Sequence, residues 1–381
     1  MILCPARFDP TFSLRPWGAR SLAPLFPAKT NLAEPIGEAW MTGNESRFVD
    51  GPFAGRTLGE VWPAMPAEWA GTDADRNAAF PLLVKFIFAE EKLSVQVHPN
   101  DAYAAQHENG GRGKTEMWYI LRSQPGAEVL AGLKPDVTRD SFRAMIENGT
   151  AENALVHVPL RAGDAVFVPA GTAHTIGAGL MLCEIQEQSD TTYRVYDYNR
   201  RDAQGHSREL HVEKALEVMR FGKQEGGKLQ PVRIHRDGVA KTFFIACDHF
   251  ATEKWEFARA ASATTSPAHF ELLIFLGGEG EIRWPASAAA YAPSPNATAE
   301  MSPMDAAAIG SANAAKPQSV RYSPAQAWML PAALGAYELV ASSPTSLLRT
   351  WVPKNLSEAA NYLADQGVAE SDRSRLLYSE R

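Results

Sequence analysis

From Phe80 onward the chain is written in short apolar stretches, each closed by turn residues. PLLVKFIFAEEKLSVQVHP reads as two strands around an acidic turn at Glu90 and Glu91. EMWYILRS, AEVLAGL, ALVHVPL, DAVFVPA and LMLCEIQEQ follow in the same manner. Such stretches suit strands and are too short to form long helices. Many short strands at even spacing predict a mainly β fold of the sandwich or jelly-roll kind. The layout returns after the polar, Gly-rich GKQEGGKLQP, in KTFFIACDHF, TEKWEF, FELLIFLGGEGEIRW, AQAWMLPA and AYELVA. Two barrels side by side are therefore expected, over 1–222 and 232–355, with a linker at 223–231. With 381 residues, 45% of them hydrophobic, the chain is long enough for two cores.

A few short helices complete the expectation. In RDSFRAMIENG, Phe142, Met145 and Ile146 recur at i, i+3 and i+4, and Gly149 supplies a stop. ELHVEKALEVMRF, residues 209–221, reads as a second helix, and 356–381 as a helical tail with a charged end. Residues 1 to 80 read as irregular chain with short strands. Residues 285–318, rich in Ala, Ser and Pro, read as a surface loop.

Charge and cysteine usage narrow the function. The formal net charge of -7 gives no ground for nucleic-acid or anionic-membrane binding. An anionic substrate would need positive charge concentrated locally. Cys4, Cys183 and Cys247 lie far apart with no CxxC, which excludes a disulfide framework or a Cys-based zinc site and fits a reducing cytoplasm. The start, MILCPARFDP, lacks the apolar core of a signal peptide, and no apolar run approaches the roughly 20 residues of a membrane span.

One strand departs from plain alternation. In LSVQVHPND, Leu93, Val95 and Val97 point one way while Ser94, Gln96 and His98 point the other. By themselves Gln96 and His98 also suit a solvated strand face. Glu116 follows in GKTEMWYIL, and GDAVFVPAGTAHTIG ends near His174, with Pro169 and Gly171 making a tight turn before it. A small barrel would bring Gln96, His98, Glu116 and His174 to one point. Two imidazoles, a carboxylate and an amide oxygen suit Zn²⁺ and leave coordination positions open.

The pattern G-D-x4-P-x-G-x2-H, from Gly163 to His174, resembles the second motif of the cupins. The longer set LSVQVHPND, GKTEMWYIL, GDAVFVPAGTAHTIGAG and EIQEQSDTTYRVYDYNRRD…RELHVEKALEVM resembles the type I mannose-6-phosphate isomerases (phosphomannose isomerases). The resemblance runs from RPWGAR at 15 to WVP at 351 and is strongest over 82–221. It implies two cupin-type barrels and one zinc ion per chain on Gln96, His98, Glu116 and His174. It implies interconversion of mannose 6-phosphate and fructose 6-phosphate by proton transfer between C2 and C1, through a cis-enediol. Arg194, Lys114, Glu184 and Asp190 fall on catalytic positions, with the general base open between Glu184, Asp190 and a group acting through metal-bound water. Arg194, Arg200 and Lys114 fall on phosphate-binding positions. A monomer is expected.

There are departures. Relatives usually carry a Ser or an acidic residue where this chain has GEAWMTG, and often Lys where it has Arg200, which replaces a point charge by a fork. The second barrel is expected to lack metal ligands: Leu334 to Ala336 offer none, and His269 has no partner. Two other classes stay open. Non-haem iron oxygenases also use two His and one Glu, and a non-catalytic sugar-phosphate sensor would use the same scaffold.

Overall fold

The structure, a computed structural model, describes residues 1–201, 205–222, 226–285 and 317–379. Most of the expected 285–318 loop, part of the expected linker and the last two residues of the tail therefore lie outside the described residues.

The fold is mainly β, in four sheets. Seven strands form one sheet in the order Gly227–Lys228, Ala165–Val168, Glu116–Ser123, Leu180–Glu187, Leu82–Ala89, Ile36–Trp40 and Thr11–Ala19. It faces a five-stranded sheet ordered Tyr193–Tyr196, Val95–Val97, His174–Ile176, Glu128–Leu133 and Leu155–Pro159. Trp118, Ile120, Val166, Val168 and Leu182 from the first sheet meet Val129, Ala131 and Ile176 from the second to make the first barrel's core. In the second half an eight-stranded and a four-stranded sheet enclose Trp255, Leu273, Phe275, Trp328, Ile282, Tyr337 and Leu339.

The two large sheets lie back to back. Met117, Tyr119, Phe167, Met181, Cys183 and Ile185 on the outer face of the seven-stranded sheet share one cluster with Phe244, Leu272, Ile274, Met329 and Leu348 of the eight-stranded sheet. The seven-stranded sheet is thus covered on both faces, which is why Leu82–Ala89 and Leu180–Glu187 are buried along their whole length. Strands buried on two faces read as continuous apolar runs rather than alternating ones. Polar residues in such strands then stand out: Lys85, Glu116 and Glu184 share the inner face with Ile87, Trp118 and Leu182.

The halves are interleaved as well as packed. Ala6–Asp9 pairs with Ala327–Leu330, setting Ala6 opposite Met329, and Arg47–Phe48 follows it at the same edge. The N-terminal strand therefore extends the second half's sheet. Within the expected linker, Lys228 and Gly227 pair with Val166 and Phe167. Two of the expected helices are present: Arg139–Glu147, capped by Thr138, and Leu356–Asp365, capped by Asn355. The third is only Val212–Val218. Its expected first turn instead serves Arg194: the His211 N–H donates to the Arg194 carbonyl at 2.7 Å, and the Glu209 carbonyl accepts from the Arg194 guanidinium at 3.0 Å.

Inside the second barrel an arginine sits where the first gathers its polar inner-face groups. The Arg349 guanidinium donates to both oxygens of Glu271, at 2.8 and 2.6 Å, and to Glu253 at 2.7 Å. Tyr362 from the tail helix donates to Glu253 at 2.8 Å. The three cysteines are unpaired, and among the described residues no helix is long and apolar enough to cross a membrane.

Between the halves Trp62, Phe80 and Phe270 form a buried aromatic trio with centroid separations of 5.0 to 5.7 Å. Phe270→Ala is expected to cost about 3–5 kcal/mol, read as a lower urea midpoint. If the seam is as continuous as described, both halves lose structure in one transition. Separate transitions, with only one moved, would contradict a shared core.

Candidate metal centre and cavity

His98, Glu116 and His174 bring one donor atom each to within 4.8 Å of one another, and all three are buried. Glu116 comes from the seven-stranded sheet, and His174 from the facing one, where it pairs with Gln96. Gly171 in the turn before His174 has φ +82°, its N–H donates to the His98 carbonyl at 2.8 Å, and a Cβ there would stand 2.8 Å from the Val218 carbonyl oxygen. Only glycine fits this turn without strain.

Both imidazoles are held in the tautomer a metal needs. His98 Nδ1 lies 2.8 Å from the Thr191 carbonyl, and His174 Nδ1 lies 2.9 Å from the Thr172 carbonyl. A carbonyl only accepts, so each Nδ1 carries the proton and each Nε2 presents a lone pair inward. His98 Nε2 is 3.1 Å from Glu116 Oε1, and His174 Nε2 is 3.3 Å from the Gln96 amide nitrogen. Rotated about its terminal torsion, that amide offers its oxygen instead. Burial, with the Lys114 charge beside it, lowers His98; burial and the neighbouring His98 take His174 down to about 3. Both rings are neutral at pH 7.

Charge is dense around them. Lys114 forms a buried ion pair with Glu116 and reaches to 3.4 Å from His98 Nε2. Burial works to lower Lys114, but Glu116 and then Glu184 hold it above its usual value. Burial likewise opposes ionisation of Glu116, and Lys114 and His98 outweigh it, keeping its carboxyl well below the ordinary range. Glu116 Oε1 is nevertheless buried without a hydrogen bond of good geometry. Two inward lone pairs and a buried carboxylate oxygen approached only by the Lys114 ammonium and His98 Nε2 fit a divalent cation. Trp118 Nε1 lies 2.9 Å from Glu116 Oε2 and 3.0 Å from Glu184 Oε2, so one N–H serves two carboxylates. Burial and the charge of Glu116 push Glu184 up to about 7.

A cavity of about 470 Å³ opens beside these groups, lined by Gln96, Lys114, Glu184, Asp190, Arg194 and others. Asp190 stands at its mouth, its Oδ1 3.7 Å from Lys85 Nζ, and Glu184 Oε1 lies 3.7 Å from the same nitrogen. Arg194, opposite Gln96 in the strand pairing, donates from Nε to Ser94 Oγ at 3.2 Å. Arg200 is not among the lining residues: its Nε donates to Asp197 at 3.1 Å and its Nη1 to the Lys92 carbonyl at 2.6 Å. Arg208, which sequence reasoning passed over, does line the cavity, and Asp197 accepts from its Nε at 2.8 Å. Arg15 lines it too, paired with Glu38 at 2.9 Å. Burial lowers Arg194, and the like charge of Arg208 adds to the effect. In an acidic protein, this is a concentrated basic wall facing a pocket.

A model of the phosphomannose isomerase type I catalytic domain matches residues 7–143. The mannose-6-phosphate isomerase ManA of Bacillus subtilis is 38% identical over 283 residues, covering 73% of this chain and 87% of that relative. The chain belongs to the type I phosphomannose isomerase family. The mannose-6-phosphate isomerase of Streptococcus mutans is 37% identical over 254 residues, 66% of this chain and 78% of the relative. The crystal structure of the B. subtilis mannose 6-phosphate isomerase matches with a TM-score of 0.76 at 26% identity, over 91% of this chain and 99% of that one. The apo phosphomannose isomerase fold of Salmonella typhimurium matches at 0.63 with 14% identity, over 91% and 99% of the two chains. Within a phosphomannose isomerase scaffold, then, three cavity-lining cations, Arg15, Lys85 and Arg208, escaped the sequence reading. Lys85 had a signal, a lone charge in the apolar run LLVKFIFA. Arg208 opens the quoted RELHVEKALEVM, but its approach to the cavity depends on how the chain returns after 197.

Glu184 gives a test in the metal-free protein. Its folded value, about 7, lies above the ordinary glutamate value of 4.5. The folded chain thus keeps a proton that the unfolded chain releases. That contribution to stability is fully present below about pH 4.5 and is lost as pH rises through about 7. Glu184→Gln should remove this loss, so its urea midpoint falls less than the parent's between these limits. Parallel curves would show that Glu184 is not held protonated.

Proposed function

We propose that the chain interconverts D-mannose 6-phosphate and D-fructose 6-phosphate, with one zinc ion held by Gln96, His98, Glu116 and His174. The single observation that carries the reading is adjacency: the buried cluster of His98, Glu116 and His174, with its inward lone pairs, lies beside a cavity lined by Gln96 and Lys114 together with Arg194, Arg208 and Arg15. The family and its relatives' names support the same reaction. A sugar phosphate needs both ends, a dianion seat and a polarising centre.

Arg194 and Arg208 take the phosphate, because their fork-shaped guanidinium groups match its oxygens. Arg200 acts through Asp197, which it shares with Arg208; Lys114 faces the reacting end beside Glu116. What the ion supplies when bound is Lewis-acid stabilisation of negative charge on the sugar oxygens. Glu184 moves the proton between C2 and C1. Burial favours its neutral form while Lys114 and Lys85 favour its ionised form, so the carboxyl can both accept and return a proton. Asp190, at the cavity mouth, shares Lys85 with Glu184 and tunes that charge. The site works within a single chain, on a small-molecule substrate, and a monomer in the cytoplasm suffices.

A coupled assay of fructose 6-phosphate formation tests this. Chelation should abolish turnover and zinc should restore it, while His98→Ala should not respond to zinc. Arg208→Ala should lower kcat/KM by about ten- to a hundredfold, mostly through KM, the worth of about 1.5–3 kcal/mol for a charge-assisted hydrogen bond. Zinc-loaded protein without turnover would sink the isomerase reading. Iron with oxygen consumption would replace it by an oxygenase.

A further inference from the structure

The outer face of the seven-stranded sheet is apolar where it meets the second half, through Met117, Tyr119, Cys183 and Ile185. At the end nearest the candidate metal centre this row finishes in Thr115 and Glu187, both buried. Glu187 Oε1 accepts the Thr115 N–H at 2.8 Å, and the Thr115 carbonyl accepts the Glu187 N–H at 3.2 Å. Thr115 Oγ1 in turn accepts the Ala170 N–H at 3.1 Å. Thr115 stands between Lys114 and Glu116, and Ala170 lies in the turn that delivers His174. One carboxylate therefore secures the backbone beneath two of the proposed ligands and the lysine between them.

Glu187 does not hold this position alone. Its Oε2 lies 3.0 Å from His249 Nδ1. His249 belongs to the second half, in the turn between Val239–Ala246 and Ala251–Phe257. Burial pushes the Glu187 carboxyl up, and the hydrogen bond from His249 works against that. Without the imidazole, the carboxylate would keep its Thr115 contact in a buried setting that favours its neutral form. It would also be free to turn toward the neighbouring cavity of about 480 Å³. In either event its hold on the Thr115 N–H weakens, since an ionised acceptor binds an N–H roughly twice as strongly as a neutral one. Asp101, whose carboxylate lies within 4.8 Å of the Glu187 and His249 donor atoms, supports the same segment by accepting the Gly113 N–H at 2.8 Å.

We propose that His249 is a positioning residue for the metal centre: by fixing Glu187, it sets Thr115 and with it the placement of Lys114 and Glu116, so that the second half takes part in building a site whose ligands all lie in the first. This rests on the zinc-isomerase reading above. Loss of partners behind a metal ligand typically weakens metal binding or activity by about 10- to 100-fold.

The test uses the full chain with His249→Ala and His249→Gln, the latter keeping an N–H donor for Glu187. Zinc affinity is measured against a chromophoric chelator, the cobalt-substituted protein gives a ligand-field spectrum, and kcat and KM are measured separately. His249→Ala should bind zinc about tenfold more weakly, shift the cobalt spectrum, and lower kcat with little change in KM. His249→Gln should recover most of each, and the melting temperatures of both variants show whether folding is intact. Zinc affinity and cobalt spectrum unchanged in His249→Ala would overturn the proposal, as would a Gln variant no better than Ala. A second equivalent of zinc in the parent protein, lost in His249→Ala, would make His249 a ligand and overturn it too. A parent chain that binds no zinc defeats the isomerase reading itself, whereas a parent that binds and turns over beside an unaffected His249→Ala defeats only this inference.

Discussion

Burial of the seven-stranded sheet on both faces governs the rest of this molecule. Its central strands must present apolar side chains in both directions, inward to the first barrel and outward to the second half. Only at one end are the inner positions released from packing, and there Lys85, Glu116 and Glu184 stand side by side on adjacent strands. Because strand register fixes which residue faces which way, a slip by one residue would turn these charges into the apolar seam between the halves. The two-sided core therefore specifies the site as strongly as it stabilises the fold.

Placing so many ionisable groups in a dry pocket carries a large desolvation cost. The structure offsets it by giving nearly every polar atom a fixed partner: a backbone carbonyl for each histidine Nδ1, Lys114 for Glu116, one Trp118 N–H for two carboxylates. The donor atoms left facing inward are few, the two Nε2 lone pairs and Glu116 Oε1, whose charge Lys114 balances. Such a pocket is preorganised: a cation entering it displaces few existing bonds, and the ligands need little rearrangement.

Much of this was legible in the sequence, and the limits are physical. The convergence of Gln96, His98, Glu116 and His174 was readable because strand alternation and the Pro169–Gly171 turn are local signals, and the family motifs span them without interruption; their role as ligands belongs to the proposal. The two-barrel plan was readable from the repeated strand layout. Pairing of Ala6–Asp9 with Ala327–Leu330 was not, because a contact across more than three hundred residues leaves no local trace. The helix expected at 209–221 starts only at Val212: the Glu209 carbonyl and the His211 N–H are taken by Arg194, and His211 serves as the N-cap, its carbonyl accepting the Ala215 N–H at 2.9 Å. Arg200 was chosen by its place in a motif. In space its guanidinium is engaged by Asp197, and Arg208, brought in by the returning chain, stands in the cavity wall.

The two barrels meet the same problem, interior carboxylates that require a cation, by different means. In the second, Arg349 clasps Glu271 with two bonds and Glu253 with one. A guanidinium on a tether cannot dissociate, be chelated, or be exchanged for a competitor. That half is complete as soon as the chain is made, whatever the supply of trace elements. The first half sets Lys114 against Glu116 and Lys85 near Glu184 and, on the proposed reading, adds an exchangeable ion from outside. On that reading scarcity of the ion would leave finished chains silent, and its return would restore function without new synthesis.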